Sequence, residues 1–152
     1  MHKVVISDAS CLILLEKIHE LDLLQKVYGQ IITTNEVAQE FGEELPDWIQ
    51  IEKPVDTKYQ QILETQVDIG EASAICLAKE KEDVLIIIDD LKARKLAKKL
   101  ELRITGTLGV VHKAKELNII EKIRPIVDKL LLTNFRVSEK IVNELLRKND
   151  EL

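Results

Sequence analysis

The sequence predicts an α/β protein with three layers, in which helices cover both faces of a central, mainly parallel sheet of four to five strands. Three observations predict this fold class. Short apolar runs rich in β-branched residues recur along the chain, helical patterns separate them, and the run from Val84 to Ile88 shows no polar alternation. A strand that is apolar on both faces is typical of a parallel sheet buried between two helical layers.

Four runs are the predicted strands of this sheet: Lys3 to Ser7, Gln30 to Thr33, Val84 to Ile88 and Leu102 to Thr105. Their regular alternation with helical patterns is the sequence form of a doubly wound parallel sheet. The more polar stretch from Gly42 to Thr57 contains two prolines and the single tryptophan. We predict that this stretch is a loop.

The predicted helices differ in how much of their surface is apolar. The helix from Gly70 to Lys79 is apolar nearly all round, so it should be buried, and its first-turn Glu71 needs a partner there. The helix from Leu91 to Leu100 has one apolar face and one basic face. After Gly109 the pattern is helical to the end, with Pro125 in a first turn or at a kink. Residues from about 121 are therefore predicted to form C-terminal helices.

The bulk composition bounds the domain count and the compartment. A chain of 152 residues with 45% hydrophobic content suffices for one substantial core and is short for two, so residues 1–152 are predicted to form one domain. No apolar run approaches the roughly 18 residues of a membrane span, and the N-terminus enters a strand-like run directly. We therefore expect a cytoplasmic protein with no membrane association.

Charge and residue types exclude several classes of site. A formal net charge of -5 argues against bulk electrostatic binding of nucleic acid, and 3% aromatic residues argue against a base-stacking platform. Cys11 and Cys76 lie in apolar stretches without a Cys-x-x-Cys spacing, which favours reduced core residues over a disulfide. None of the three histidines has a metal-ligand spacing, so a zinc site is not expected.

Carboxylates occur at four points of the chain, either directly after a predicted strand or in the first turn of a predicted helix. Asp8 follows the first strand, Asp89 and Asp90 follow the third, and Glu36 and Glu71 fall in the first turns of helices. Because strand ends and helix starts meet at one edge of an open parallel sheet, we expect these acids to lie together. Carboxylates without histidine or cysteine suit Mg²⁺ or Mn²⁺. An ion held there would activate water for attack on a phosphodiester.

Helix capping is the alternative explanation for each acid taken alone, because an acid in a first turn accepts from free N–H groups and suits the helix dipole. Capping accounts for Asp8, Glu36 or Glu71 separately. It accounts less well for the Asp89-Asp90 pair, since two adjacent like charges after a buried strand are unfavourable without a cation, a basic neighbour or protonation.

A basic helix face begins directly after Asp90 and indicates where a nucleic-acid backbone would run. We call it the basic face; it consists of Lys92, Arg94, Lys95, Lys98 and Lys99. The alternative is an ordinary solvated helix surface. Weaker candidates for a phosphate contact are Ser10, Thr105 and Thr107, although a plain strand-to-helix turn explains the two threonines equally well.

With these residues in place, the sequence resembles the PIN-domain ribonucleases, Mg²⁺- or Mn²⁺-dependent nucleases that include many toxins of prokaryotic toxin-antitoxin pairs. The resemblance covers about residues 2–145. The segments that carry it are VVISDASCLILL, TTNEVAQEF, IGEASAICLA and IIIDDLKARKLAKKLELRITGTLGVV. The last two are similar to a PIN-like subgroup with GEA, DD-x-x-AR and TGTLG segments.

The resemblance implies a ligand set for the metal. Asp8, Glu36, Glu71 and Asp90 would bind it, with Asp89 as a fifth ligand or as the true fourth. Two positions depart from the commonest toxin pattern: the third acid is Glu71 where an aspartate is frequent, and Ile88 precedes the last acids where threonine or serine is common. Asp68 is an alternative to Glu71.

Two functional hypotheses follow. The first is a metal-dependent endoribonuclease, the toxin of a toxin-antitoxin pair, with RNA as substrate and an antitoxin as partner. The second is a catalytically weak PIN-fold module that binds RNA or protein through its C-terminal helices. The amphipathic residues of the last helix would pack on the domain itself, on a second copy in a homodimer or on an antitoxin, and self-packing is favoured. They are Ile141, Val142, Leu145 and Leu146.

Overall fold

The computed structural model describes residues 4–152, and Lys3, the first residue of the first predicted strand, lies outside them. The strands in the described range are β1 (Val4–Ser7), β2 (Ile31–Thr33), β3 (Ile49–Ile51), β4 (Val84–Ile87) and β5 (Arg103–Thr105). The helices are α1 (Ala9–Lys17), α2 (Asp22–Tyr28), α3 (Asn35–Phe41), α4 (Thr57–Leu63), α5 (Ile69–Lys79), α6 (Leu91–Lys99), α7 (Thr107–Glu116), α8 (Arg124–Leu131) and α9 (Glu139–Lys148).

The five strands form one sheet in the order β3-β2-β1-β4-β5, and every neighbouring pair is parallel. The chain builds outward from β1 through β2 to β3, and then returns to place β4 on the other side of β1. The strand order therefore reverses between β1 and β4. In open parallel sheets, such a reversal leaves a crevice at the carboxyl ends of the two strands, and ligands bind there.

Side chains of β1 and β4 alternate between two cores, as the period of two residues in a strand requires. Val5, Leu85 and Ile87 pack with residues of α1, α2, α7, α8 and α9, whereas Ile6 and Ile86 pack with residues of α5 and α6. The sheet thus lies between two helical layers. The three-layer α/β/α fold predicted from the uninterrupted apolar strand is confirmed.

The predicted loop from Gly42 to Thr57 is wrong in part, because it contains β3 and ends where α4 begins. The strand has only three residues, pairs on one side with β2, and leaves Ile51 47% exposed at the sheet edge. A short edge strand between prolines carries too few alternating residues to be recognised from its pattern. Helix α4 was not predicted either.

The C-terminal helices begin later than their apolar pattern suggests. The segment from Ile119 to Ile123 is not helical, and α8 starts at Arg124 with Pro125 in its first turn, where the missing N–H costs nothing. In α9, Val142 and Leu146 are buried in the same core as α1 and α7, while Ile141 is 49% exposed. The last helix therefore packs mainly on the domain itself.

Cys11 and Cys76 are both free and buried, as expected for reduced core residues. Within residues 4–152, no helix has both the length and the apolar character needed to cross a membrane.

Candidate active site

Asp8 lies directly after β1, at the strand reversal, and is 1% exposed. Its Oδ1 atom accepts a hydrogen bond from the Cys11 N–H at 3.3 Å, which caps α1. Its Oδ2 atom is buried, and no residue in the described range donates a hydrogen bond to it. Burial raises the pKa of Asp8 well above its ordinary value, and the charges of Asp89 and Glu71 raise it further. Backbone hydrogen bonds oppose this rise only in part, so the negative charge of the carboxylate is not fully compensated by the protein.

Asp89 and Asp90 follow β4, the strand beside β1. Asp89 is half-buried and accepts from Thr107 with both oxygens, from the backbone N–H at 2.8 Å and from the hydroxyl at 2.5 Å. Asp90 is exposed and caps α6, where its Oδ2 atom accepts from the Ala93 N–H at 3.0 Å. The ends of β1 and β4 thus deliver three carboxylates to the crevice.

Glu71 reaches the same region from the first turn of α5. Its side chain and that of Asp68 form a capping box, in which Asp68 accepts from the Glu71 N–H at 2.8 Å. Burial raises the pKa of Glu71 to about 7, and the charges of Asp68, Asp90 and Glu40 contribute to that rise. Glu71 therefore both caps helix α5 and lies close to the other acids.

Glu36 lies on α3 and lines the same cleft as Glu40 and Asp68. It is half-buried, and its Oε2 atom accepts from the Gln60 side chain at 2.5 Å, on the wall of a cleft of about 530 Å³ between α3 and α5. Glu40, one helical turn further along α3, faces α5 instead. A Cβ atom on Gly70 would lie 3.0 Å from Glu40 Oε1, and burial together with Asp68 raises the pKa of Glu40.

Six acids therefore lie close enough for their charges to interact. We call them the acid cluster: Asp8, Glu40, Asp68, Glu71, Asp89 and Asp90. Sequence reasoning missed Glu40 because it considered only acids that directly follow strands or fall in first helical turns. The spacing of four residues between Glu36 and Glu40 puts both on one helix face and was the available signal. The assignment of Glu36 as a ligand stays a prediction.

The basic face divides into four exposed lysines and one inward-directed arginine. Lys92, Lys95, Lys98 and Lys99 are exposed. Arg94 is half-buried, and its Nη1 atom donates to the Ile88 carbonyl oxygen at 2.9 Å.

The predicted phosphate contacts are also divided. Ser10 is half-buried in the first turn of α1. Thr105 is half-buried, and its hydroxyl occupies the space next to Gly109, where a Cβ atom would lie 2.0 Å away. Thr107 is fully buried, with its N–H and hydroxyl both bonded to Asp89, so neither group is free for a phosphate in this arrangement.

A family model described as a PIN domain matches residues 4–151, which is nearly the whole chain. The chain belongs to the PIN-domain family. PIN domains are generally nucleases and usually use divalent metal ions. The comparison with curated proteins finds no match.

The donor chemistry of this PIN domain fits a hard divalent cation. The acid cluster offers only carboxylate oxygens, and Asp8 keeps one buried oxygen without a partner, which is the ligand type that Mg²⁺ and Mn²⁺ take. Within residues 4–152, however, no three His, Cys, Asp or Glu side chains are arranged so that they could hold an ion as they stand. Asp89, Asp90 and Glu71 each turn toward a backbone N–H instead. Holding an ion requires some of these carboxylates to rotate.

Proposed function

We propose that this PIN domain is a divalent-metal-dependent endoribonuclease that hydrolyses RNA phosphodiester bonds at the acid cluster. The observation that carries the proposal is the state of Asp8. An aspartate that is 1% exposed, with one oxygen unpartnered and two further acids raising its pKa, is costly to the fold unless a cation compensates it.

Asp8, Glu71 and Asp90 would hold the ion, with Glu40 as a further ligand and Asp89 beside them. A carboxylate-held Mg²⁺ or Mn²⁺ supplies an activated water and neutralises charge on the phosphoryl oxygens. The protein residues supply binding and orientation. The exposed lysines of the basic face begin two residues after Asp90 and would bind the phosphates that flank the scissile bond.

The test is cleavage of labelled single-stranded and structured RNA by purified protein in Mg²⁺ or Mn²⁺. We expect cleavage that stops in excess chelator and that is lost in Asp8→Asn and in Asp90→Asn. The matched control is Asp22→Asn, which replaces an exposed first-turn acid of α2 and should leave cleavage unchanged. RNA cleavage that survives both replacements in the acid cluster would contradict the proposal.

The second candidate, a PIN-fold binding module with little catalytic power, is favoured by one observation. The carboxylates of the described residues are not arranged to hold an ion without rotation. Calorimetric titration with Mn²⁺ separates the candidates, because a module that has lost its metal site should release no specific heat of binding.

We further propose a toxin role with a protein antitoxin as partner, on the strength of the resemblance to PIN-domain toxins. Exposed apolar residues in or next to the C-terminal helices, such as Leu132 directly after α8 at 88% and Ile141 in α9 at 49% exposure, offer a surface for an antitoxin or a second copy. Induced expression should arrest growth, and co-expression of a small neighbouring gene should restore it. Arrest by the Asp8→Asn variant would contradict a toxin role that depends on RNA cleavage.

A further inference from the structure

Ile88 is the first residue after β4, and its N–H still bonds to the neighbouring strand β5. The Asp8 N–H donates to the Ile87 carbonyl at 3.0 Å, and the Ile88 N–H donates to the Thr105 carbonyl at 2.8 Å. The Ile88 carbonyl lies beyond β4, on a residue that is 0% exposed. Because a buried carbonyl without a donor is costly, the contact from Arg94 Nη1 at 2.9 Å satisfies this group from the second turn of α6.

Asp89, the next residue, is held by the first residue of α7. Helix α7 begins after Gly106, which has no side chain to cap it. Asp89 supplies the missing acceptor from another segment, since its two oxygens accept from the N–H and the hydroxyl of Thr107. The carboxylate of Asp89 is therefore engaged in joining the end of β4 to the start of α7.

Gly106 is the point where the two contacts meet. A Cβ atom on this residue would lie 2.7 Å from Asp89 Oδ1 and 2.8 Å from Arg94 Nη1. A side chain at this position would displace the Asp89 carboxylate or the Arg94 guanidinium, so Gly106 leaves the space that these two groups occupy. The arginine of the DD-x-x-AR segment and the first Gly-Thr of the TGTLG segment thus form one contact network, which we call the β4 anchor.

We propose that Arg94 and Thr107 are positioning residues that act through the β4 anchor, and that Arg94 does not bind RNA. The anchor fixes Ile88 and Asp89 directly before Asp90 and next to Asp8, two of the carboxylates assigned to the ion. This inference rests on the proposed function, because it concerns the same metal site. It divides the basic face into an arginine that acts on the acid cluster and lysines that face the substrate.

The test compares Arg94→Met with Lys95→Met, which removes the neighbouring exposed lysine by the same change. A second pair is Thr107→Val, which removes the hydroxyl at nearly constant volume, and Thr107→Ser, which keeps it. Mn²⁺ affinity is measured by calorimetry and RNA affinity by titration in chelator, with thermal unfolding as a check that each variant folds. If Arg94→Met does not fold, Arg94→Lys replaces it.

Arg94→Met and Thr107→Val should bind Mn²⁺ about 10- to 100-fold more weakly, while Lys95→Met and Thr107→Ser should stay within about threefold of wild type. In chelator, RNA affinity should fall for Lys95→Met and not for Arg94→Met. In Mn²⁺, kcat should fall for Arg94→Met with KM unchanged. The inference is overturned if Arg94→Met keeps wild-type Mn²⁺ affinity or loses RNA affinity as Lys95→Met does. If wild-type protein binds no Mn²⁺, the proposed function fails and the inference falls with it.

Discussion

Two buried carboxylates of this PIN domain are in opposite electrostatic states. Glu151 near the C-terminus has a side chain that is 6% exposed, and it accepts from Lys115 Nζ at 2.7 Å, from the Ile123 N–H at 2.8 Å and from the Arg124 N–H at 3.0 Å. Burial alone would raise the pKa of Glu151, but these donors together have the larger effect and lower it to about 2. Asp8 is buried more deeply, at 1% exposed, and has one such donor, the Cys11 N–H, and its pKa is raised.

The difference shows which of the two carboxylates stabilises the folded state. We call Glu151 and its donors the C-terminal clamp; its full set of bonds ties the tail to the start of α8 and stabilises the folded chain. Asp8 in the acid cluster keeps one oxygen without a donor, and the like charges of the cluster repel one another, so these charges oppose folding in the absence of a cation. Unfavourable electrostatics that persist in one place are typical of functional sites. The following predictions test this contrast, from the largest expected effect to the smallest.

Asp8→Asn should change activity and stability in opposite directions. Without the carboxylate, metal-dependent cleavage should fall more than about 100-fold. In chelator at neutral pH, the free energy of unfolding should rise by about 1 to 3 kcal/mol, because a neutral amide replaces the unpartnered charge. Denaturant unfolding in chelator measures the second effect. A variant that is less stable than wild type would mean that Asp8 is compensated in the fold, and the contrast with Glu151 would fail.

Glu40→Gln and Glu36→Gln form a matched pair on one helix face. Glu40 lies against α5 and its charge acts on Glu71, whereas Glu36 bonds to Gln60. We expect Glu40→Gln to weaken Mn²⁺ binding about tenfold or more, with little change for Glu36→Gln. Calorimetric titration of both variants decides between them. The reverse result would show that Glu36, and not Glu40, is the residue of α3 that binds the ion.

Glu151→Gln should lower stability without changing the metal site. Loss of the charge weakens the bonds from Lys115 and from two backbone N–H groups, at a cost of about 1 to 3 kcal/mol. Thermal unfolding should show a Tm lower by several degrees, with Mn²⁺ affinity unchanged. The control is Glu116→Gln on the surface, which should not alter Tm measurably. If Glu151→Gln also weakens Mn²⁺ binding, the two regions are coupled and not separate.

The pH dependence of stability should have opposite slopes for the two regions. Glu71 has a pKa of about 7 in the folded chain, above its ordinary value of 4.5, so the folded state binds more protons between these values. The free energy of unfolding in chelator should therefore fall as pH rises from 4.5 through 7. Partial exposure of Glu71 limits its share to about 1 kcal/mol, and Asp8 acts in the same direction.

The C-terminal clamp acts in the acid range instead. The pKa of Glu151 is about 2, below its ordinary value, so its stabilisation is complete above about pH 4.5 and is lost as pH falls toward 2. Without divalent metal, stability should therefore be greatest near pH 4.5 to 5, and Mn²⁺ should remove the decline above that pH. Urea unfolding at several pH values, with chelator or with Mn²⁺, measures both slopes. A flat profile above pH 5 in chelator would contradict the uncompensated state of the acid cluster.

Much of the fold follows from local pattern. The run from Val84 to Ile88 is apolar at every position and could be placed as a central strand because both its faces are buried. The short strand β3 could not be placed, since three residues at a sheet edge are stabilised by pairing with β2 and not by their own periodicity. The start of α8 likewise depends on contacts between distant parts of the chain, because the N–H groups of Ile123 and Arg124 bond to Glu151.

The sequence by itself determined the alternation of strands and helices, the apolar centre of the sheet and the presence of acids after β1 and β4. Only the tertiary structure decided which acids meet, and in which direction Arg94 points. Helical periodicity specifies the angle between two side chains on one helix, as for Glu36 and Glu40, but not which neighbour each of them faces. That choice depends on how α3 and α6 lie against α5 and the end of β4, and therefore on packing across the whole chain.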